Sequence, residues 1–89
     1  MATGTTTVDF GTGNVDATAT VSSPTITGSS LVEAWVLPAP TASNTVDNHL
    51  VEDIEVIAHS VTNGVGFSIY CKCNTLKAHG VYNIGWAWA

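Results

Sequence analysis

From Val15 to Ser22 the odd positions are apolar and the even positions polar. Successive side chains of a strand point to opposite faces, so this period of two describes a half-buried strand with one wet face. The pattern recurs along the chain. Thr5 to Phe10 is a weaker example, closed by Gly11-Thr12-Gly13-Asn14. Ile54, Val56 and Ala58 alternate with Glu55, Ile57 and His59. Phe67, Ile69, Cys71 and Cys73 oppose Ser68, Tyr70, Lys72 and Asn74, and Tyr82, Ile84, Trp86 and Trp88 oppose Val81, Asn83, Gly85 and Ala87. Leu31 to Leu37 is apolar on both sides apart from Glu33, which predicts a central strand, and Pro38 and Pro40 end it because proline cannot donate to a ladder. Residues 38–48 read as an irregular connection. No window carries a 3.6-residue stripe, the gaps are too short for helical crossovers, and Asn63-Gly64 is a hairpin turn signal. The chain is therefore expected to be all-β, a small antiparallel β-sandwich of about six strands. Residues 1–13 form a Thr/Gly-rich N-terminal arm, either ordered on a neighbour or frayed, and residues 14–89 the single sandwich domain.

A chain of 89 residues is one domain and buries only about 60–65% of its unfolded surface, so its core needs help from staples or partners. The two cysteines, Cys71 and Cys73, do not supply a staple. On one strand they sit roughly 6.5–7 Å apart, further than a disulfide prefers, and C-x-C alone is a weak zinc signal, so two buried free thiols are expected. Charged residues make up 10% of the chain, against about 25% in an ordinary soluble domain. Interface centres are depleted in charge, so this deficit predicts an oligomer. A net charge of −5 argues against nucleic acid, which needs a basic footprint, and against anionic lipid. No apolar run approaches the ~20 residues of a membrane span. Met1-Ala2-Thr3 lacks a basic and apolar leader, which predicts a protein made in a cytoplasm that stays there or leaves inside something larger.

The stretch from Asp47 to Glu55 holds four carboxylates and His49. These oxygens suit a hard cation in number, and a cation tying copies together through Asp47, His49 and Asp53 is one reading. There is no EF-hand spacing, however, and a solvated loop entering a strand is the favoured one, with no metal assigned. Acids meeting near a symmetry axis form a third reading. His49, His59 and His79 are scattered. Ser60, His59 and Asp53 could be drawn as a triad, but neighbours on a regular strand point apart, so His59 and Ser60 should not pair. Neither a nucleophile elbow nor a phosphate-cradling glycine loop is present, and no enzyme activity or cofactor is expected. Tyr82, Trp86 and Trp88 share one face and Trp35 lies on another strand. Such aromatics can stack on sugars, but as core or interface anchors each buries ~150–250 Å², and Ile84 in the same row favours that role.

From Leu31 onward, roughly two-thirds of the chain, the order of features resembles the H-type lectin domain. The shared pieces are a Val-rich early strand, an apolar strand ending in a polar loop, the Gly66-Phe67 strand opening, its spacing to Trp86, and Trp86-Ala87-Trp88 at the end. The resemblance implies a six-stranded antiparallel sandwich forming a homotrimer, with N-acetylgalactosamine-type sugars bound between subunits. That sugar site uses an Arg, an aromatic and a Tyr at positions that here hold Glu52 or Asp53, Cys73 or Asn74, and His79 or Gly80, so its residues do not carry over. The chain also resembles small tailed-phage virion proteins through Val32-Glu33-Ala34-Trp35, the Asp47–Asp53 stretch, Gly66 to Tyr70 and Trp86 to Trp88. That likeness implies a bacteriophage virion structural protein made in the host cytoplasm: a capsid decoration or cement protein, or a small fibre or tail component, partnered by itself and by capsid or tail proteins. The alternative is a lectin-like module that recognises a host glycan. The interface or ligand candidates are Trp35, Asp47, His49, Asp53, His79, Tyr82, Trp86 and Trp88.

Overall fold

The computed structural model describes residues 2–75 and 77–89. Six strands form where alternation predicts them: β1 (Ala2–Asp9), β2 (Asp16–Ser22), β3 (Val32–Val36), β4 (Ile54–Thr62), β5 (Gly66–Cys73) and β6 (Val81–Trp88). They make two three-stranded antiparallel sheets, β1-β6-β3 and β2-β5-β4, packed as a sandwich. The first is sheet A and the second sheet B. Of the N-terminal segment expected as an arm, Ala2–Asp9 pairs along its whole length with β6 of the same chain, from Ala2↔Trp88 to Asp9↔Val81. Its Thr-rich sequence suits a strand because β-branched side chains pack well on a pleated surface.

The central strands are β5 and β6, not the Leu31–Leu37 strand. That segment gives β3, an edge strand, and its second apolar face is open: Leu31 is 79% exposed and Trp35 42%. Apolar character on both faces signals burial of both only if another layer covers the outer one, and here none does.

The inner faces meet in one core of Val8, Val21, Phe67, Ile69, Cys71, Cys73, Tyr82 and Ile84, closed at its ends by Phe10, Ile26 and Ala78 from the connections. Phe10 and Ile26 plug the sandwich from outside the strands, and the carbonyl of Ile26 accepts a hydrogen bond from the Gly64 amide at 2.8 Å. Phe10 and Tyr82 meet in an edge-to-face arrangement with ring centroids 5.6 Å apart, and Phe67 and Trp86 do so at 5.4 Å. The indole N–H of Trp86 finds no acceptor among the described residues, so packing rather than hydrogen bonding holds this ring.

The 38–48 connection departs from the expectation of irregular chain. It ends in a short helix, α1 (Val46–Val51), whose N-cap Thr45 accepts from the Asn48 amide at 3.2 Å and whose first turn carries Asp47. Six residues are too few to show a helical stripe, and only His49 turns inward. Ahead of it, buried Asn44 donates to the carbonyls of His79 and Val81 at 3.0 and 2.9 Å, and Thr41 donates to Val81 at 2.8 Å. These bonds pin the connection to the start of β6.

Candidate functional site

The sequence-derived candidates separate into three places. Tyr82, Trp86 and Trp88 are on the inner face of β6. Tyr82 is fully enclosed, and the Trp88 indole donates to the Ser23 hydroxyl at 3.0 Å. Burial raises the pKa of Tyr82, with lesser contributions from Glu52 and Cys73, as expected for a phenol inside a core. Tyr82 lies in the core, and Trp86 and Trp88 are partly buried against it.

The second place is α1 and its flanks. Asp47 and Asp53 are exposed, as is His79, while His49 is buried. Both imidazole nitrogens of His49 are engaged: Nδ1 lies 2.7 Å from the Thr45 carbonyl, and Nε2 is 3.0 Å from the Asn83 amide. A carbonyl can only accept and an amide can only donate, so these partners assign the neutral tautomer with the proton on Nδ1. The amide of Asn83 lies on the side of β6 that faces β3, just past the end of β3; its carbonyl still accepts from the Leu37 amide at 2.9 Å, and the imidazole takes the amide. That employment leaves no lone pair for a cation. Among the described residues no group of three His, Cys, Asp or Glu side chains is arranged to hold a metal ion.

The third place is the outer face of sheet A, where Trp35 alone of the aromatic candidates is presented. Its register partner across the ladder is Gly85. A Cβ on Gly85 would overlap the Trp35 indole nitrogen and lie 2.6 and 2.9 Å from ring carbons Cε2 and Cζ2, so the indole covers the glycine at close range. Glycine here is a requirement of close approach, and it turns a half-exposed tryptophan into a fixed platform. Thr5, on the far side of Gly85, borders it. Towards the strand ends, Leu31, Ala87 and Ala89 surround Glu33 around a shallow hollow of about 190 Å³. Among the described residues this face carries the carboxylates Glu33 and Asp9 and no cation; Lys72 is on the opposite outer face, in register with both Asp16 and Glu55.

One expectation about catalysis is overturned in its geometry. His59 and Ser60 do pair, with His59 Nδ1 and Ser60 Oγ 2.8 Å apart. The rule that neighbours point apart holds for a regular strand, but β4 is bulged between His59 and Thr62, and Ser60 has φ 56°. The bulge swings Ser60 back toward the imidazole. Ser60 also borders an open cleft of about 450 Å³ with Thr20, Ser22, Thr62, Val65 and Ser68. Among the described hydrogen bonds none links His59 to a carboxylate, so the third member of a triad is missing from this arrangement.

The thiols of Cys71 and Cys73 are free and buried. Cys73 donates to Glu52 at 3.6 Å, whereas burial pushes the Cys71 thiol up to about 11 from 9.0. The folded state therefore holds the Cys71 proton more tightly than the unfolded one. Stability from this group is intact below pH 9 and declines as the pH rises from about 9 through 11. Urea melts at pH 8, 9.5 and 11 should show a falling midpoint, and Cys71→Ser or Cys71→Ala should flatten that fall. A slope unchanged by both variants would assign the alkaline loss elsewhere. Below pH 9 a thiol reagent should label Cys71 only after denaturation.

Comparison with protein-family models, curated proteins and solved structures found no match.

Proposed function

We propose that this chain is a non-enzymatic structural subunit of a bacteriophage particle, working as a symmetric homo-oligomer docked on capsid or tail proteins. The observation that carries the assembly reading is the outer face of sheet A. Trp35, 42% exposed, and Leu31, 79% exposed, sit in water beside Ala87 and Ala89 with a single carboxylate among them. Surfaces of this kind mark contact sites, and tryptophan is among the residues that dominate contact energies. The particle itself is the part of the proposal supported by the resemblance of Val32 to Trp35, Asp47 to Asp53 and Trp86 to Trp88 to tailed-phage virion proteins, and the likeness to H-type lectins supports a sandwich that associates, with a trimer as the implied count.

Light scattering of the purified chain tests the assembly. A multiple of 9.2 kDa is expected at micromolar concentration, and a monodisperse single copy would defeat the proposal. Gly85→Ala probes the face without touching the core, because its methyl would lift the half-exposed Trp35 ring off the sheet. It should weaken association or docking by about tenfold or more, the cost of losing a tryptophan contact worth over 1.4 kcal/mol, while leaving the fold intact.

The same platform favours a second reading, a glycan-binding module, since a flat exposed indole can stack on a pyranose ring. Glycan-array binding lost on Trp35→Ala would support it, and silence on the array would leave the structural reading in place.

A further inference from the structure

The four edge strands are not equally fit to pair. β3 is five residues long and runs into Pro38 and Pro40, and β4 is broken by the bulge at Ser60. Those devices block strand addition on the flank where β3 packs against β4. Neither β1 nor β2, on the opposite flank, has them, and β1 is the longer, at eight residues against seven. It is unbroken in register against β6 and contains neither proline nor lysine. Leu31 and Ala89 exchange both their backbone hydrogen bonds, so the odd-numbered residues of β6 face β3 and the even-numbered ones face β1. The N–H and C=O groups of Thr3, Thr5, Thr7 and Asp9 consequently point away from the sheet.

Deepening the assembly reading, on which this step rests, we propose that β1 pairs antiparallel with β1 of a second copy about a two-fold axis at Thr5. The two sheets then join as one six-stranded sheet, β3-β6-β1-β1-β6-β3. The strand is complementary to itself in that register. Thr5 meets Thr5 and Thr3 meets Thr7, each exchanging backbone bonds through the outward-pointing groups, and Thr–Thr pairs are favourable on a sheet face. On the inner face Ala2 meets Val8 and Gly4 meets Thr6, a smaller side chain opposite a larger one each time. Charge selects the orientation. Asp9 is the only ionised side chain of β1, and the antiparallel pairing separates it from its copy by about eight residues, roughly 27 Å at strand rise. A parallel in-register pairing would stack the two carboxylates at adjacent-strand spacing, about 4.8 Å. The contact is isologous, so it closes at two copies and yields a trimer-containing particle only as paired trimers.

Nitroxide labels at Thr5→Cys and Asp9→Cys, with Cys71 and Cys73 shielded by burial, test the register by pulsed and continuous-wave dipolar spectroscopy. Position 5 should show strong short-range broadening, and position 9 a distance near about 27 Å plus the label arms. Thr5→Lys, an exposed position, should weaken pairing by about tenfold or more by placing cations opposite one another, without changing the strand content of the single copy. A wild-type chain that stays single at hundreds of micromolar overturns both the assembly reading and this pairing. A multimeric wild type with no short distance at position 5 overturns the pairing alone.

Discussion

Gly66→Ala is expected to remove a large part of the stability of the fold. Gly66 opens β5 with φ 149°, a conformation that side-chain-bearing residues rarely adopt. A Cβ there would overlap the Val21 carbonyl oxygen and lie 3.0 Å from its carbon and 3.1 Å from the Ser23 amide nitrogen. All three are backbone atoms of the paired strand and its exit, so no side-chain rotation relieves the clash. Gly66 is also the register partner of both Ser22 and Thr62, which places the damage where all three strands of the second sheet converge. Backbone strain and overpacking together cost about 3–5 kcal/mol, against a total of roughly 5–13 kcal/mol for a chain of this length. Urea denaturation followed by tryptophan fluorescence should give a greatly lowered midpoint or no cooperative transition. A midpoint equal to that of the wild type would show that the β2–β5 seam yields easily at this point.

His49→Ala is expected to be the next most damaging change, at about 2–4 kcal/mol. It strands the Asn83 amide, a loss of roughly 1–3 kcal/mol for a buried donor without an acceptor, and it removes a ring packed 4.9 Å from Tyr82. Two companions separate these contributions. His49→Phe refills the ring volume and restores no acceptor, so it should recover only packing. His49→Gln supplies a carbonyl oxygen and should recover part of the hydrogen bond. Hydrogen exchange at the Asn83 amide reads the link directly: protected in the wild type and the Gln variant, fast in the Ala and Phe variants. Stability of the Ala and Phe variants equal to wild type would mean that α1 contributes nothing to the end of sheet A.

The strands were legible because one face of each is buried, and burial of one face is what writes a period of two into a sequence. Phe67 to Cys73 and Tyr82 to Trp88 fall on the inner side as their alternation demands. What alternation does not encode is which strand lies in the middle of a sheet, and so Leu31 to Leu37 reads as central while forming an edge. The connections were less legible for a different reason. Asn44, Phe10 and Ile26 act through single side chains aimed at distant backbone or core, and one residue has no period. Thr45, a favoured N-cap residue, with Asp47 in the turn that follows is a signal that could have located α1. The His59–Ser60 contact depends on the bulge, and a bulge changes the direction of side chains without changing their order in the chain. At the candidate site, Trp35 was legible as an aromatic apart from the others, but its pose required Gly85 on a strand fifty residues further along.

The ordering β1-β6-β3 contains no two strands that follow one another in the chain, and β2-β5-β4 contains a single such pair, the hairpin around Asn63-Gly64. Folding can therefore begin locally only at that hairpin. The β1–β6 ladder joins strands far apart in sequence, so it cannot close until Val81 to Trp88 have left the ribosome. A topology of such distant pairings places refolding in the millisecond-to-second range rather than the microseconds of helical bundles. Throughout that interval the Thr-rich first strand has no place to go, and nascent chains held close together on one message would be at risk of exchanging it.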